Sequence, residues 1–249
     1  MTQLKRIDGS IIAKSDTLTL VELVELNKAN LSSANLCWAN ISDAELSRAN
    51  LSGANLSGAN ISGTNLCEAN LSGANISEAN LSEAYLYKAD ISEANLYKAD
   101  LYKADLSRAN LSGANIYMAN LSRANLCEAD LSGANLYMAN LSRANLYMAN
   151  LYMANLSRAN LSDADLYKAS LFWANLLEAK GIVQFGPVPT SRRIGYCVDH
   201  GDKIMVKLGC WWGELDKTLE RIAEVHPGEK GRAYADMVKA AARSLEVAR

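Results

Sequence analysis

The sequence predicts a mainly β protein: a solenoid preceded by a hairpin and a short helix, and followed by a small α+β unit. The main observation is a five-residue unit that recurs without insertion from Ala29 to Glu178, in a chain of 249 residues. The segments before and after it lack this unit and have ordinary strand and helix patterns. We therefore expect three parts: an N-terminal cap (1–28), the repeats (29–180) and a C-terminal unit (181–249).

Residues 1–28 are expected to cover the first coil of the solenoid. The stretch LKRIDGSIIAKS predicts a hairpin that turns at Asp8-Gly9, a dipeptide typical of tight hairpin turns. Thr19 and Glu22 have the spacing of a capping box, which predicts a short helix ending near Lys28. Because the open end of a solenoid needs a polar cover, a cap is favoured here over a ligand site.

The repeated unit reads A-N-L-S-x. Its apolar centre falls at every fifth residue from Leu31 to Leu176, as Leu in most units and as Ile in five. Ala stands two residues before the centre, with Thr64 as the one substitution, and Asn stands between them in most units. Asp replaces this Asn in five units, and Glu45, Tyr85 and Ser170 replace it in three more.

A period of five fits neither a straight helix nor a flat strand. Five helical residues advance the side chain by about 140° beyond a full turn, so the Leu row would spiral around the axis. In a strand, side chains alternate with a period of two, so successive Leu residues would point to opposite faces. If the chain bends once per unit, every Leu and Ala can face one interior, which predicts a solenoid.

The unit resembles the A-(N/D)-L-x-x motif of the pentapeptide repeat family, from Ala29 onward. The resemblance implies a right-handed, four-sided parallel β-helix with four units in each coil. Gly209-Cys210-Trp211-Trp212-Gly213 followed by a helix, together with the early hairpin and helix, also resemble the segments that flank such repeats in phage and prophage proteins.

The last position of the unit offers a test of the four-unit coil, because stacked charges should favour opposite signs. At a separation of twenty residues, opposite pairs outnumber like pairs, whereas at fifteen residues they do not. The opposite pairs at twenty are Arg48 with Glu68, Glu68 with Lys88, Glu78 with Lys98, Glu83 with Lys103, Arg108 with Glu128, Arg143 with Asp163, and Arg158 with Glu178. The charge pattern therefore favours four units per coil.

After Glu178, Gly181, Gly186, Pro187 and Pro189 predict a linker. Strands are then predicted within 193–199 and 203–210, joined by a turn at His200-Gly201. Two amphipathic helices follow, from Gly213 to about Val225 and from Gly231 to Ala248, separated by His226-Pro227-Gly228.

Few residues suggest catalysis or metal binding. Cys197, His200, Cys210 and His226 are of types that bind zinc, but they lie in a predicted turn, strand and helix end rather than in a zinc knuckle. The spacing supports no catalytic triad, carboxylate pair or phosphate-binding loop. We therefore expect no catalytic residue, no metal, no cofactor and no enzyme activity. An enzyme or metal-binding activity confined to the C-terminal unit is a second alternative.

Aromatic residues and methionines cluster at the outward positions of the later coils. These candidate partner-surface residues are Tyr97, Tyr117, Met118, Tyr137, Met138, Tyr147, Met148, Tyr152, Met153, Phe172 and Trp173. They could form ladders that stabilise the stacking of coils, or receive the C-terminal unit folded back onto them. They could also bind a protein partner or a second copy of the chain.

The preferred function is a non-enzymatic structural or protein-interaction scaffold with an unknown partner. Some relatives in the resembled family are DNA mimics that bind type II topoisomerases such as DNA gyrase. The alternative function is therefore a DNA mimic that binds such an enzyme. Acidic residues only modestly outnumber basic ones in the repeats, and Lys and Arg are interleaved with them, which opposes a DNA-like field. The net charge of −2 likewise disfavours direct nucleic-acid binding.

No apolar run reaches the length of a membrane span, and the first residues lack the apolar stretch of a secretory signal. The five cysteines are odd in number and widely spaced, which favours reduced thiols over a disulfide framework. We therefore expect no membrane association and a cytoplasmic location.

Overall fold

The computed structural model describes residues 1–186, 194–199, 203–208 and 211–247. Its first elements are β1 (Thr2–Arg6), β2 (Ile11–Ser15), α1 (Leu20–Leu26), a 3-10 turn (Lys28–Asn30) and β3 (Ala34–Asn35). After the repeats come β4 (Ile182–Phe185), β5 (Gly195–Asp199), β6 (Ile204–Leu208), β7 (Trp211–Glu214), α2 (Leu215–Val225) and α3 (Glu229–Val247).

The N-terminal segment pairs directly with the first coil. Strand β1 lies between β2 and β3 and is antiparallel to both, so the hairpin extends the sheet of that coil. The predicted capping box is present: the Thr19 amide donates to Glu22 Oε2 at 2.8 Å, and the Glu22 amide donates to Thr19 Oγ1 at 3.3 Å. Leu4 and Leu23 are buried in the same core as the leucines of the repeats.

In the repeats, the backbone pairs with itself every twenty residues. Parallel bridges join residues twenty apart, from Asn35 with Asn55 through Asn160 with Lys180. In the first of them, the Leu36 amide donates to the Asn55 carbonyl at 2.8 Å, and the Asn55 amide donates to the Ala34 carbonyl at 2.9 Å. Each coil therefore contains four five-residue units, as the charge pattern predicted.

The centres of the units form one continuous core. From Leu31 to Leu171 every central Leu or Ile is buried, together with nearly all of the small residues that precede them. Thr64 is accommodated in this column because its hydroxyl donates to the Ile41 carbonyl at 3.2 Å. The expectation that every Ala faces the interior is wrong for Ala29, which is exposed because it lies in the 3-10 turn before the first complete coil.

The chain turns at the last two positions of each unit. The carbonyl of the centre accepts a hydrogen bond from the amide three residues later, and the last residue of the unit adopts a positive φ of 54–67°. Where the centre is Leu, this bond measures 2.9–3.1 Å, and where it is Ile it measures 3.2–3.4 Å. A β-branched centre therefore opens the turn slightly.

The C-terminal strands form an antiparallel sheet in the order β4-β5-β6-β7, with α2 and α3 packed on it. Phe185, Cys197, Val206, Ile222 and Val238 belong to the separate core of this unit. The predicted pairing of β5 with β6 and the division between the two helices are both confirmed.

Two predictions for this region are wrong. The predicted linker contains β4, whose Ile182 and Phe185 are buried. The linker was predicted because glycines, which are typical of loops, flank this short strand. The helix predicted from Gly213 begins at Leu215, because β7 occupies the preceding residues and pairs with β6. Pro187, Pro189 and the predicted turn at His200-Gly201 lie outside the described residues.

Candidate functional site

Residues twenty apart form columns along the repeats, and the columns place the eleven candidate surface residues in three groups. In each unit, the last two positions project outward at the turn. Large side chains at these positions can therefore stack on the equivalent residues of neighbouring coils, about 4.8 Å away. The three groups differ in how much of their surface the chain itself covers.

The first group is a tyrosine ladder. The ring centroids of Tyr97 and Tyr117 are 5.4 Å apart, as are those of Tyr117 and Tyr137. All three tyrosines are half-buried, whereas Met118 and Met138 beside them are exposed. The Arg158 guanidinium ends the ladder by donating to Tyr137 Oη at 3.1 Å. Contacts within the chain therefore cover much of the surface of these rings.

The second group contains only Tyr147 and Met148 of the candidates. The Tyr147 ring lies 5.9 Å from that of Tyr167, whose other edge meets Trp212 of the C-terminal unit at 6.0 Å. Met148 is exposed. The C-terminal unit thus reaches this column, and the sequence analysis missed Tyr167 although its spacing of twenty from Tyr147 signals the contact.

The third group is the terminal aromatic patch, made of Tyr152, Met153, Phe172 and Trp173. The Tyr152 and Phe172 rings stack at 6.1 Å, and Phe172 meets Trp173 edge to face at 5.4 Å. Despite these contacts, the residues are 41%, 58%, 63% and 72% exposed, respectively. The patch lies on the last coils, close to the C-terminal unit, and the described residues of that unit leave it exposed.

Polar contacts help to join the C-terminal unit to the last coil of the repeats. Tyr196 Oη donates to the Leu171 carbonyl at 3.1 Å, and Lys207 Nζ donates to the Ala169 carbonyl. The Lys207 ammonium also lies 5.3 Å from the centre of the Trp212 ring. Burial lowers the pKa of Lys207 below its usual value, because it disfavours the charged form. No sequence pattern indicated this lysine.

Charged residues at the last position of the unit pair between neighbouring coils. Of the seven predicted pairs, five form ion pairs with nitrogen–oxygen distances of 2.7–3.4 Å. These five are Arg48–Glu68, Glu83–Lys103, Arg108–Glu128, Arg143–Asp163 and Arg158–Glu178. Positive and negative charges therefore alternate over short distances along the outside of the coils.

A cleft of about 400 Å³ lies between α1 and the first coils, where Leu18, Leu26 and Lys28 line it with three glutamates. Glu22 is engaged in the capping box, and Glu25 Oε1 accepts the Glu45 amide hydrogen at 2.7 Å. The Glu22 carboxylate therefore caps α1, and the Glu25 carboxylate joins α1 to the first coil.

The residues considered for zinc are only partly described. Cys197 is buried, its Sγ lies 3.7 Å from the Val238 carbonyl oxygen, and burial raises its pKa to about 12. The His226 ring lies 6.0 Å from that of Tyr234. His200 and Cys210 lie outside the described residues, and within the described ranges no three His, Cys, Asp or Glu side chains gather as a metal site would require.

The repeats match the family model "Pentapeptide repeats" over residues 29–67, 64–102, 104–137 and 139–176, more than half of the chain. The chain belongs to the pentapeptide repeat family. This finding confirms the family predicted from the A-N-L-S-x unit. No curated protein matches the chain.

Solved structures of this family resemble the chain. HetL, a pentapeptide repeat protein involved in heterocyst differentiation regulation from the cyanobacterium Nostoc sp. strain PCC 7120, is 34% identical, with 59% of this chain and 83% of HetL covered and a TM-score of 0.43. QnrB1, a plasmid-mediated fluoroquinolone resistance protein, is 19% identical over 58% of this chain and 83% of its own, with a TM-score of 0.44. Rfr23 from the cyanobacterium Cyanothece 51142 is 42% identical, with 36% of this chain and 58% of Rfr23 covered and a TM-score of 0.24.

Among the described residues, no helix has the length and apolar character needed to cross a bilayer.

Proposed function

We propose that this pentapeptide repeat protein is a non-enzymatic scaffold that binds a protein partner through the terminal aromatic patch. In this proposal, residues 29–180 form a right-handed, four-sided parallel β-helix. Residues 1–28 cover its first coil, and residues 181–249 cover its last. The rod holds the patch in a fixed position next to the C-terminal unit.

The exposure of the patch carries this proposal. Because a buried aromatic side chain hides about 150–250 Å², the exposed fractions of the four residues leave on the order of 500 Å² of apolar surface in water. The largest apolar patch of a typical monomer is about 300–600 Å² and is often functional. Aromatic residues and Met are also the types enriched in the centres of protein interfaces.

The other two candidate groups support this choice by contrast. The rings of Tyr97, Tyr117 and Tyr137 are stacked on one another, and the Tyr147 column leads to Trp212 through Tyr167. We propose that these columns stabilise the coils and the docking of the C-terminal unit. The exposed methionines beside them are secondary candidates for partner contact.

A structural role for Cys197 supports the non-enzymatic proposal. A thiol with a pKa of about 12 is almost entirely protonated at neutral pH, so it is a poor nucleophile and a poor metal ligand. The partly buried thiols of Cys37, Cys67 and Cys127 are unpaired, which supports a reducing, cytoplasmic location.

The ion pairs weigh against the alternative, a DNA mimic that binds DNA gyrase. A mimic needs a continuous negative surface, whereas here Arg and Lys neutralise Glu and Asp at intervals along the coils. We expect micromolar protein to leave gyrase supercoiling unchanged. Inhibition of supercoiling, or protection of gyrase from a quinolone, would instead favour the alternative.

Site-specific photo-crosslinking in cells tests the scaffold proposal. A photo-crosslinking phenylalanine analogue at Phe172 is expected to give a discrete protein adduct, whereas the same analogue at Tyr102, in a different column, is not. Excess wild-type protein should compete for the adduct, and excess Phe172→Ser/Trp173→Ser protein should not. Equal crosslinking from both positions, or equal competition by both proteins, would contradict the proposal.

A further inference from the structure

We propose that the terminal aromatic patch binds a second copy of this chain, and that two copies pack side by side in antiparallel orientation. This inference rests on the proposed function, because it names the partner of the same patch. Its basis is a change of side-chain size along the two columns that hold the patch.

Below the patch, the same two columns hold only small side chains for two coils. Ser132 and Gly133 lie directly below Tyr152 and Met153, and Ser112 and Gly113 lie one coil further down, three coils below Phe172 and Trp173. We call Ser112, Gly113, Ser132 and Gly133 the small-residue strip. A Cβ added at Gly133 would meet no heavy atom within 4 Å, so the surface there is open.

The strip and the patch together are complementary to themselves. A two-fold axis that crosses the rod between the coils of Ser132 and Tyr152 reverses the order of the coils. It therefore places Phe172 of each copy at the level of Ser112 of the other, and Tyr152 at the level of Ser132. Large side chains then meet small ones at all four levels, which is the requirement for an isologous contact.

The area of this contact is sufficient for a stable dimer. The patch exposes about 500 Å², and the symmetric contact occurs twice, each time covering a comparable area of the opposing strip. The total is on the order of 1,000–2,000 Å², which reaches the range of specific protein interfaces. The rod supplies both surfaces as rigid coils, so little conformational entropy is lost on association.

Charge limits the register of this dimer. None of the eight residues in the patch and the strip is charged, so like charges do not oppose their contact. One coil below the strip, Glu93 follows in the same column. A shift of the axis toward the N-terminus by half a coil would set Trp173 against Glu93 and desolvate its carboxylate, which disfavours that register.

Sedimentation equilibrium of the full-length protein at several concentrations tests the inference. The wild type is expected to dimerise, and Phe172→Ser/Trp173→Ser is expected to raise the dimer Kd by about thirtyfold or more, as for interface hot spots. Gly133→Arg fills the strip without altering the patch and should weaken the dimer to a similar extent. Its positive φ of 65° is tolerated by other large side chains in this position, including Met153.

A mixture of the two variants provides the sharpest test. Each variant alone lacks both contacts of the dimer, but the mixture restores one, between the patch of Gly133→Arg and the strip of Phe172→Ser/Trp173→Ser. We therefore expect heterodimers in the mixture at concentrations where both variants alone are monomers. Apolar association without this geometry would not show such complementation.

Gly73→Arg is the matched control, because Gly73 lies in the same column, has a φ of 63° and also has open space around it. It should dimerise like the wild type. A monomeric wild type, equal weakening by Gly73→Arg, or a mixture without heterodimers would overturn the inference. If the wild type is monomeric but the Phe172 adduct of the crosslinking experiment contains another protein, the scaffold proposal stands and the dimer fails.

Discussion

The asparagine ladder offers a quantitative test of what holds the coils together. Asn115 Nδ2 donates to Asn95 Oδ1 at 3.0 Å, and Asn115 Oδ1 accepts from Asn135 Nδ2 at 3.2 Å and from the Tyr117 amide at 3.4 Å. Asn115→Ala removes all three hydrogen bonds from a half-buried position. At roughly 0.5–1.5 kcal/mol for each bond, the free energy of unfolding should fall by about 3 kcal/mol.

Two variants separate the ladder from general effects of the substitution. Asn175 ends the same column, donating to Asn155 Oδ1 at 3.3 Å and accepting from the Leu177 amide at 3.1 Å. Asn175→Ala therefore loses two bonds at a more exposed site, and about 2 kcal/mol or less is expected. Asn115→Asp keeps the two acceptor contacts and loses the donor, so its effect should lie below that of Asn115→Ala.

Urea unfolding followed by circular dichroism measures these differences, with the m-value checked for each variant. The expected order of destabilisation is Asn115→Ala, then Asn175→Ala and Asn115→Asp. If Asn115→Ala lowered the unfolding free energy by less than about 0.5 kcal/mol, water would be replacing the ladder at no cost. The backbone bridges and the leucine core would then account for the cohesion of the coils.

Three further outcomes follow from the structure. In the folded protein at pH 8, Cys197 should resist iodoacetamide, because burial raises its pKa to about 12, while the partly buried Cys37 and Cys67 react; mass spectrometry of labelled peptides checks this. Burial lowers the pKa of Lys207, so the unfolded state binds its proton more tightly. The contribution of Lys207 to stability should therefore rise with pH toward 10.5, its ordinary pKa, and Lys207→Met should lose this part of the pH profile in thermal melts. The Arg108–Glu128 pair, at 3.0 Å and exposed, should show only a small coupling in a double-mutant cycle, and that coupling should fade in high salt.

The repeats could be predicted from the sequence because one pattern determines both local and long-range structure. A buried Leu every fifth residue requires a regular bend, and opposite charges twenty residues apart indicate how many bends complete a coil. Arg48 with Glu68 and Arg158 with Glu178 are the predicted pairs at the two ends, and both form. The C-terminal unit has no such redundancy. The strand at Ile182–Phe185 exists because its residues pair with β5, and no local pattern records that pairing.

The surface was predictable in composition and not in arrangement. The sequence places Tyr117 and Phe172 both at outward positions. Only the columns show that Tyr117 lies between two other rings, whereas Phe172 and Trp173 remain exposed. The same columns show that Gly133 lies under the patch. Every unit of the five-residue repeat therefore encodes the rod. Binding specificity depends instead on the order of the outward residues in a column, because a change from glycine to tryptophan there alters the surface without disturbing the core.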